Sequence, residues 1–434
     1  MADDVLTTGG TRGRQKSKGR RILTWVALGL VVEVVFCLVL GVILCLVLGV
    51  TWGTMDYFEV RKDAAEKGIT STETHDDNGR VTQKSNFGAD GKLCVSKEGY
   101  ATVTLQYDDD RNALQISFFD TKGKPCLCVK AGAATIKCQS DDDGNLVQMS
   151  FFDAKGKPCR SLQYGAATIK QQYDDDGNRT NVSYFDVNGK LCLNVEGVAT
   201  VRCQYDGGGH LTQESCFGID GELCLSTNGL ATVKRQYDGN GNVLETSTFG
   251  VDGKPCLMEE GCATIRCQYD GNGNVLEAST FGVDGEPCLN KGGWATVRFQ
   301  YDGNGNQTEQ SVFGIDGKPC LNGMGFAMIK CQYDDNDNRI EVTCFGIDGK
   351  PCLDENGFAT IRIQYDDNGN ALEGSAFGVD GKLCLFNGYA TVKYQYDADG
   401  KRTATSYFGI DGEPCKPTKT GDWSNLWTHL RNFF

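Results

Sequence analysis

A segment of 22 residues occurs twice in this chain, 32 residues apart, and this repetition constrains the fold more than any other feature. Residues 236–257 read QYDGNGNVLETSTFGVDGKPCL and residues 268–289 read QYDGNGNVLEASTFGVDGEPCL. They differ only at Thr246 against Ala278 and at Lys254 against Glu286. Looser copies extend the pattern to eleven glycines, each followed three residues later by cysteine, at spacings of 31 to 33 residues. These glycines are Gly91, Gly123, Gly156, Gly189, Gly221, Gly253, Gly285, Gly317, Gly349, Gly381 and Gly412. So tight a period predicts one supersecondary unit per repeat, with each unit burying its apolar face against its neighbours.

Residues 293–321 show what one unit contains. Ala295, Val297, Phe299 and Tyr301 alternate with polar residues, which is typical of a half-buried strand. The stretch 302–306, DGNGN, is rich in residues that tolerate positive φ and predicts a tight hairpin turn. A second strand is expected over 307–313, followed by a second turn and a short third strand over 318–321, where proline suits an edge or strand-start position.

The expected fold is therefore all-β, an open β-spiral or solenoid of eleven antiparallel hairpin units over residues 75–415. Each unit has two or three strands. A closed propeller is not expected, because propellers have about four to eight four-stranded blades and these units are too many and too short.

The N-terminal part of the chain predicts a membrane anchor. Residues 22–50 form an apolar run of 29 residues with one acid, whereas about 20 residues are enough to span a bilayer. A cleaved signal peptide would have an apolar region of only about 7–15 residues. Six basic residues in 1–21 precede the run, so the positive-inside rule places residues 1–21 in the cytoplasm. Residues 22–50 would then cross the membrane as one transmembrane helix, and the juxtamembrane segment 51–74 and the array would lie outside.

The charge distribution argues against nucleic-acid binding. The formal net charge is −14, and residues 1–50 carry +3, which leaves −17 on the rest. Phosphate contacts need a basic surface, and the repeats do not supply one.

A Tyr-Asp pair precedes most of the Asn/Gly-rich turns. The pairs start at Tyr107, Tyr173, Tyr205, Tyr237, Tyr269, Tyr301, Tyr333, Tyr365 and Tyr396, whereas Ser140-Asp141 and His75-Asp76 keep only the acid. This motif, followed by a strand and an Asp-Gly turn, resembles the YD repeat of the Rhs and teneurin proteins. The resemblance covers about residues 75–415 and implies extracytoplasmic β-hairpin repeats that serve as shells or binding surfaces. The unit here is longer than the YD repeat of that family, and no toxin or autoproteolytic domain follows the array, so no toxin function is carried over.

The chain has 21 cysteines, of which eleven recur at the turn position. Outside the membrane an oxidising compartment would favour disulfides. The alternative is a ladder of free thiols that act as small apolar side chains where the units stack. Both remain open at this point, and metal binding is disfavoured because there is no Cys-x-x-Cys pair.

The acidic turns offer weak calcium candidates, Asp238, Asp270 and Asp302. An EF-hand needs a bidentate glutamate eleven residues after the first aspartate, but Phe249 and Phe281 stand there. Only a weaker site shared between stacked turns would be left. With three histidines at unrelated positions and no phosphate loop or nucleophile motif, we expect neither an enzyme nor a cofactor.

The C-terminal segment 416–434 predicts an amphipathic helix, in which Trp423, Trp427 and Phe434 lie among apolar residues at helical spacing. It would cap the last hairpin or dock on a partner or membrane surface.

We therefore expect a single-pass membrane protein whose extracytoplasmic array is a multivalent binding or adhesion surface. The polar strand face of Thr296, Arg298 and Gln300 and their equivalents is the expected binding face, for an unidentified protein or glycan. The alternatives are a structural stalk or envelope spacer without a specific ligand, and a shell component like that of Rhs proteins.

Overall fold

A computed structural model describes residues 69–109, 112–397 and 400–417. It contains 22 strands and no helix in this part of the chain. The strands are β1 Thr70–His75, β2 Val81–Phe87, β3 Thr102–Tyr107, β4 Ala113–Phe119, β5 Thr135–Ser140, β6 Leu146–Phe152, β7 Thr168–Tyr173, β8 Arg179–Phe185, β9 Thr200–Tyr205, β10 Leu211–Phe217, β11 Thr232–Tyr237, β12 Val243–Phe249, β13 Thr264–Tyr269, β14 Val275–Phe281, β15 Thr296–Tyr301, β16 Gln307–Phe313, β17 Met328–Tyr333, β18 Arg339–Phe345, β19 Thr360–Tyr365, β20 Ala371–Phe377, β21 Thr391–Tyr396 and β22 Arg402–Phe408.

Every strand pairs antiparallel with the strand before it and the strand after it, so the described residues form one open sheet of eleven hairpins. Within a hairpin the register covers six pairs, as between Thr232 and Phe249 at one end and Tyr237 and Val243 at the other. Between units it covers only three pairs, such as Ser247 with Thr264. This all-β, open arrangement of hairpins confirms the coarse prediction of the fold.

The third strand of the unit is replaced by a single bridge. Residues 318–321 were expected to form a short strand, but only Pro319 pairs, with Phe313. The chain turns again at once, where Gly325 donates to the carbonyl of Asn322, and units with leucine instead of proline, such as those of Leu191 and Leu383, have the same single bridge. Each unit therefore has two strands and three turns. The first hairpin also begins at Thr70, earlier than the array boundary expected at 75.

We call the three turns of each unit the first, second and third turn. In the unit of β15 and β16 they are residues 302–306, 314–318 and 322–325. The third turns of successive units are linked by backbone hydrogen bonds, for example from Lys291 N–H to the carbonyl of Glu260 at 2.7 Å and from Gly323 N–H to that of Gly292 at 2.8 Å. The units therefore join through the strands and through this second ladder.

Side chains alternate across the sheet as the period of two predicts. Ala295 and Val297 are buried, whereas Arg298 and Gln300 are exposed. The buried residues form three clusters along the array, around Val103 to Val182, Met258 to Cys267, and Phe326 to Tyr394. The apolar core is thus divided along its length.

No helix in the described residues is long and apolar enough to cross a membrane. The predicted transmembrane helix over 22–50 lies outside those residues, as do the predicted C-terminal helix from 418 onward and most of the juxtamembrane segment.

Candidate functional site: the repeated surfaces of the sheet

The first-turn aspartates hold their own turns. The carboxylate of Asp238 accepts hydrogen bonds from the backbone N–H groups of Asn240 at 2.8 Å and Asn242 at 2.9 Å, and from the Asn242 side-chain amide at 2.9 Å. Asp270 and Asp302 repeat this pattern in their turns. The hydrogen bonds from the asparagine, which favour the ionised form, lower the pKa of all three carboxyls.

Each of the three candidate calcium ligands therefore already has local partners that require an aspartate there. Within the described ranges no group of three or more His, Cys, Asp or Glu side chains is arranged to hold a metal ion. Calcium binding stays a prediction, and the geometry accounts for these aspartates without it.

The predicted binding face is largely engaged between units. The Thr296 hydroxyl lies 2.9 Å from that of Ser279 in the preceding unit. Arg298 donates from Nε to Glu277 of the same preceding unit at 2.7 Å, and its guanidinium lies 4.6 Å from the centre of the Phe313 ring. Gln300 is exposed and bonds weakly to Glu309 at 3.5 Å.

The same contacts recur along the array, for example between Arg266 and Glu245 at 2.8 Å and between Arg362 and Glu341. This face therefore contributes to the stacking of units, and Arg298 is exposed but paired. Gln300 is the one residue of the three with little internal role.

The tyrosine of the Tyr-Asp motif has a structural function that the sequence did not reveal. The Tyr269 hydroxyl donates to the carbonyl of Val243, 26 residues earlier in the preceding unit, at 2.9 Å. Tyr237 and Tyr301 do the same to Leu211 and Val275. Burial raises the pKa of these hydroxyls, to about 12 for Tyr301, so they stay neutral donors.

None of the nineteen cysteines in the described residues forms a disulfide. The turn cysteines donate to the third turn of the preceding unit, as Cys320 does to the carbonyl of Gly293 at 3.6 Å. Burial raises the pKa of the Cys320 thiol and of most others, for example Cys262 to about 12. The thiols whose pKa is raised are therefore protonated and poorly nucleophilic, which fits the free-thiol alternative.

A row of exposed apolar side chains runs along the second-turn side of the sheet in seven consecutive units. Each unit contributes a valine or isoleucine within the second turn and a leucine six residues later, and the exposed fractions lie between 45% and 62%. We call these fourteen residues the apolar edge: Val187, Ile219, Val251, Val283, Ile315, Ile347 and Val379 with Leu193, Leu225, Leu257, Leu289, Leu321, Leu353 and Leu385. With strands about 4.8 Å apart, the seven units span about 60 Å.

The apolar edge is bounded in sequence by charged residues at the leucine position, whereas Ile410 continues the second-turn position into the last unit with 58% exposure. At the leucine position, Arg160 stands in the unit before it and Lys416 in the last unit. Sequence reasoning missed this surface because leucine after Pro-Cys was assigned to a third strand, and a regularly recurring apolar residue is ordinarily a core residue.

The middle of the core carries polar groups without partners. Glu260 is 9% exposed, and neither of its carboxylate oxygens has a hydrogen-bond partner. The side-chain nitrogen of Gln307 and the side-chain oxygen of Gln310 are also buried without a partner. Burial raises the pKa of Glu260 to about 6. These groups lie between or beside the apolar clusters.

Comparison with known proteins gives only weak likenesses. No protein-family model matches the chain, and no curated protein was found to match it in sequence. Among solved structures, the TcdB2-TccC3-TEV crystal structure is 13% identical with a TM-score of 0.28, covering 78% of this chain and 19% of that one. The Tc holotoxin pore of Photorhabdus luminescens is 13% identical with a TM-score of 0.29, covering 79% and 18%.

A porin-like protein from Bacteroides uniformis is 11% identical with a TM-score of 0.20, covering 62% of this chain and 86% of that one. The chain thus spans about a fifth of the length of the toxin chains it matches. At such TM-scores these likenesses indicate neither a family nor a function.

Proposed function

We propose that the chain is a membrane-anchored repeat protein whose array, on the extracytoplasmic side, is a multivalent surface that binds protein. The anchor is residues 22–50, and the hairpins wind as an open β-spiral of the YD-repeat kind. The observation that carries the binding function is the apolar edge, because monomeric soluble proteins rarely expose long contiguous apolar patches without a partner.

The apolar edge also separates the proposal from its alternative. A stalk or spacer needs stacked units but no exposed leucine, and polar residues at these fourteen positions would make it more soluble. The apolar character favours a protein partner over a glycan, since protein interfaces have apolar centres. Seven equivalent patches would bind by avidity, so that no single patch needs high affinity.

The test uses cells that display the full chain with a C-terminal tag. Protease added outside should remove the array from intact cells, and an impermeant maleimide should label the nineteen described thiols only after the displayed array is denatured, because they are buried or half-buried. Protection of the array from outside protease would overturn the extracytoplasmic assignment.

Adhesion is then scored by mixing displaying cells with one another and with cells that lack the chain. Replacing one, two and four of Leu225, Leu257, Leu289 and Leu321 by serine should reduce aggregation progressively. Leu276→Ser is the matched control, since Leu276 is 40% exposed but lies in β14 outside the apolar edge. Aggregation that ignores the edge variants, or no aggregation by the unaltered chain, would contradict the binding function.

A further inference from the structure

The two near-identical units differ in a way that bears on the partner of the apolar edge. Of their two differences, Thr246 against Ala278 lies within the strands, and Lys254 against Glu286 lies in the second turn beside the apolar edge. Both charged residues are exposed. A charge reversal at this one surface position is the main chemical difference that a partner would meet.

We propose that the apolar edge binds the apolar edge of a second copy of this chain, related by a two-fold axis between the second turns of these two units. The inference rests on the proposed function, since it takes the same surface and names its partner. In a two-fold interface, residue i of one copy faces residue j of the other and j faces i. Lys254 of each copy would then face Glu286 of the other.

The same axis places a second charge pair in register. Counting one unit outward in each direction, Glu222 of one copy faces Lys318 of the other. This pair is also opposite in sign, whereas one unit further out Lys190 faces Lys350. These two pairs give four contacts between opposite charges, because each pair occurs twice in the dimer.

The lysines are available for such contacts. Lys254 lies 3.7 Å from Asp252 in its own turn, and Lys318 lies 3.5 Å from Asp316, with both lysine side chains 81% exposed. Exposed pairs of this kind contribute little to stability. Glu222 and Glu286 form no ion pair within the described part of the chain.

The period favours a copy over another partner. A second chain presents apolar residues at the same spacing of two strands, about 9.6 Å, so six of the seven patches have an apolar counterpart, and the seventh, Val379 with Leu385, faces the unit of Arg160. The chain carries −14 overall, and two copies repel each other unless opposite charges are aligned where they meet. The alignment around the two-fold axis supplies this at the apolar edge.

Full-length chains are produced separately with ¹⁴N and with ¹⁵N, purified in detergent micelles and mixed. A zero-length reagent then links amines to carboxylates. Peptides of mixed isotope that join Lys254 to Glu286 are expected, and sedimentation should show a dimer. Lys254→Glu should weaken dimerisation about tenfold, since it aligns like charges twice. The double variant Lys254→Glu with Glu286→Lys should restore it.

Lys350→Glu is the matched control. Under the proposed register Lys350 faces Lys190, so its reversal should not weaken the dimer. A monomer with links only within one isotope, or a dimer indifferent to these reversals, would each overturn the proposal. Protease accessibility of the array on cells is independent of both results, so the proposed function is judged separately.

Discussion

Glu260 places a carboxyl group among buried residues with no hydrogen-bond partner for either oxygen. Burial raises its pKa from 4.5 to about 6, so between these values the folded chain binds more protons than the unfolded chain. The free energy of unfolding therefore falls as the pH rises through this window and stays reduced above it.

Glu260→Gln should remove this loss. At pH 7.5 the variant should be more stable than the unaltered chain by about 1–2 kcal/mol, and at pH 4 the two should be equal. Urea unfolding at both pH values measures the difference. Glu286→Gln, which changes an exposed glutamate in a second turn, is the control and should leave the stability unchanged at both pH values. Equal stabilities at pH 7.5 for Glu260→Gln and the unaltered chain would mean that the Glu260 carboxyl is solvated.

At the scale of the hairpin, the tyrosine hydroxyl connects one element to the element before it. Tyr269→Phe removes the hydroxyl that donates to the carbonyl of Val243 at 2.9 Å and also contacts the Cys267 thiol, so it should lower the free energy of unfolding by about 1 kcal/mol. Tyr269→Ser, which copies the residue found naturally at Ser140, should cost more because the buried ring is lost as well. Urea unfolding of the two variants tests this order, and a phenylalanine variant as stable as the unaltered chain would show that the bond contributes nothing.

The elements also show where sequence reasoning succeeds and where it stops. Alternation in 295–301 predicted which side chains are buried, because a strand places successive residues on opposite faces. The same alternation does not predict that Tyr269 binds a carbonyl 26 residues away, or that Arg298 binds a glutamate of the preceding unit. Those contacts depend on the three-pair register between units, which no local pattern encodes.

The third turn is the clearest limit. The ladder ends at the bridge of Pro319, and Leu321 is exposed and belongs to the apolar edge instead of the core. Leu385 is exposed in the same way although Leu383 replaces the proline. Only the path of the chain after the bridge decides between these outcomes, and a short apolar run is compatible with both.

At the scale of the whole molecule, the period predicts that one unit can be removed without loss of the fold. Deletion of residues 251–282 joins Gly250 to Val283 and brings β12 beside β15. Glu245 then meets Arg298, Ser247 meets Thr296, and the Tyr301 hydroxyl reaches Val243, so the contacts between units are all reproduced. Because stability in such arrays is approximately a sum over units and their interfaces, the shortened chain should fold with an unchanged β-sheet spectrum and an m-value in urea lower by roughly a tenth.

Deletion of half a period, residues 251–266, is the control: it removes β13's partner contacts and should cause unfolding of the neighbouring hairpins. If the full-period deletion is as disruptive as the half-period one, the units are not interchangeable and the array is one cooperative structure in which each position matters individually.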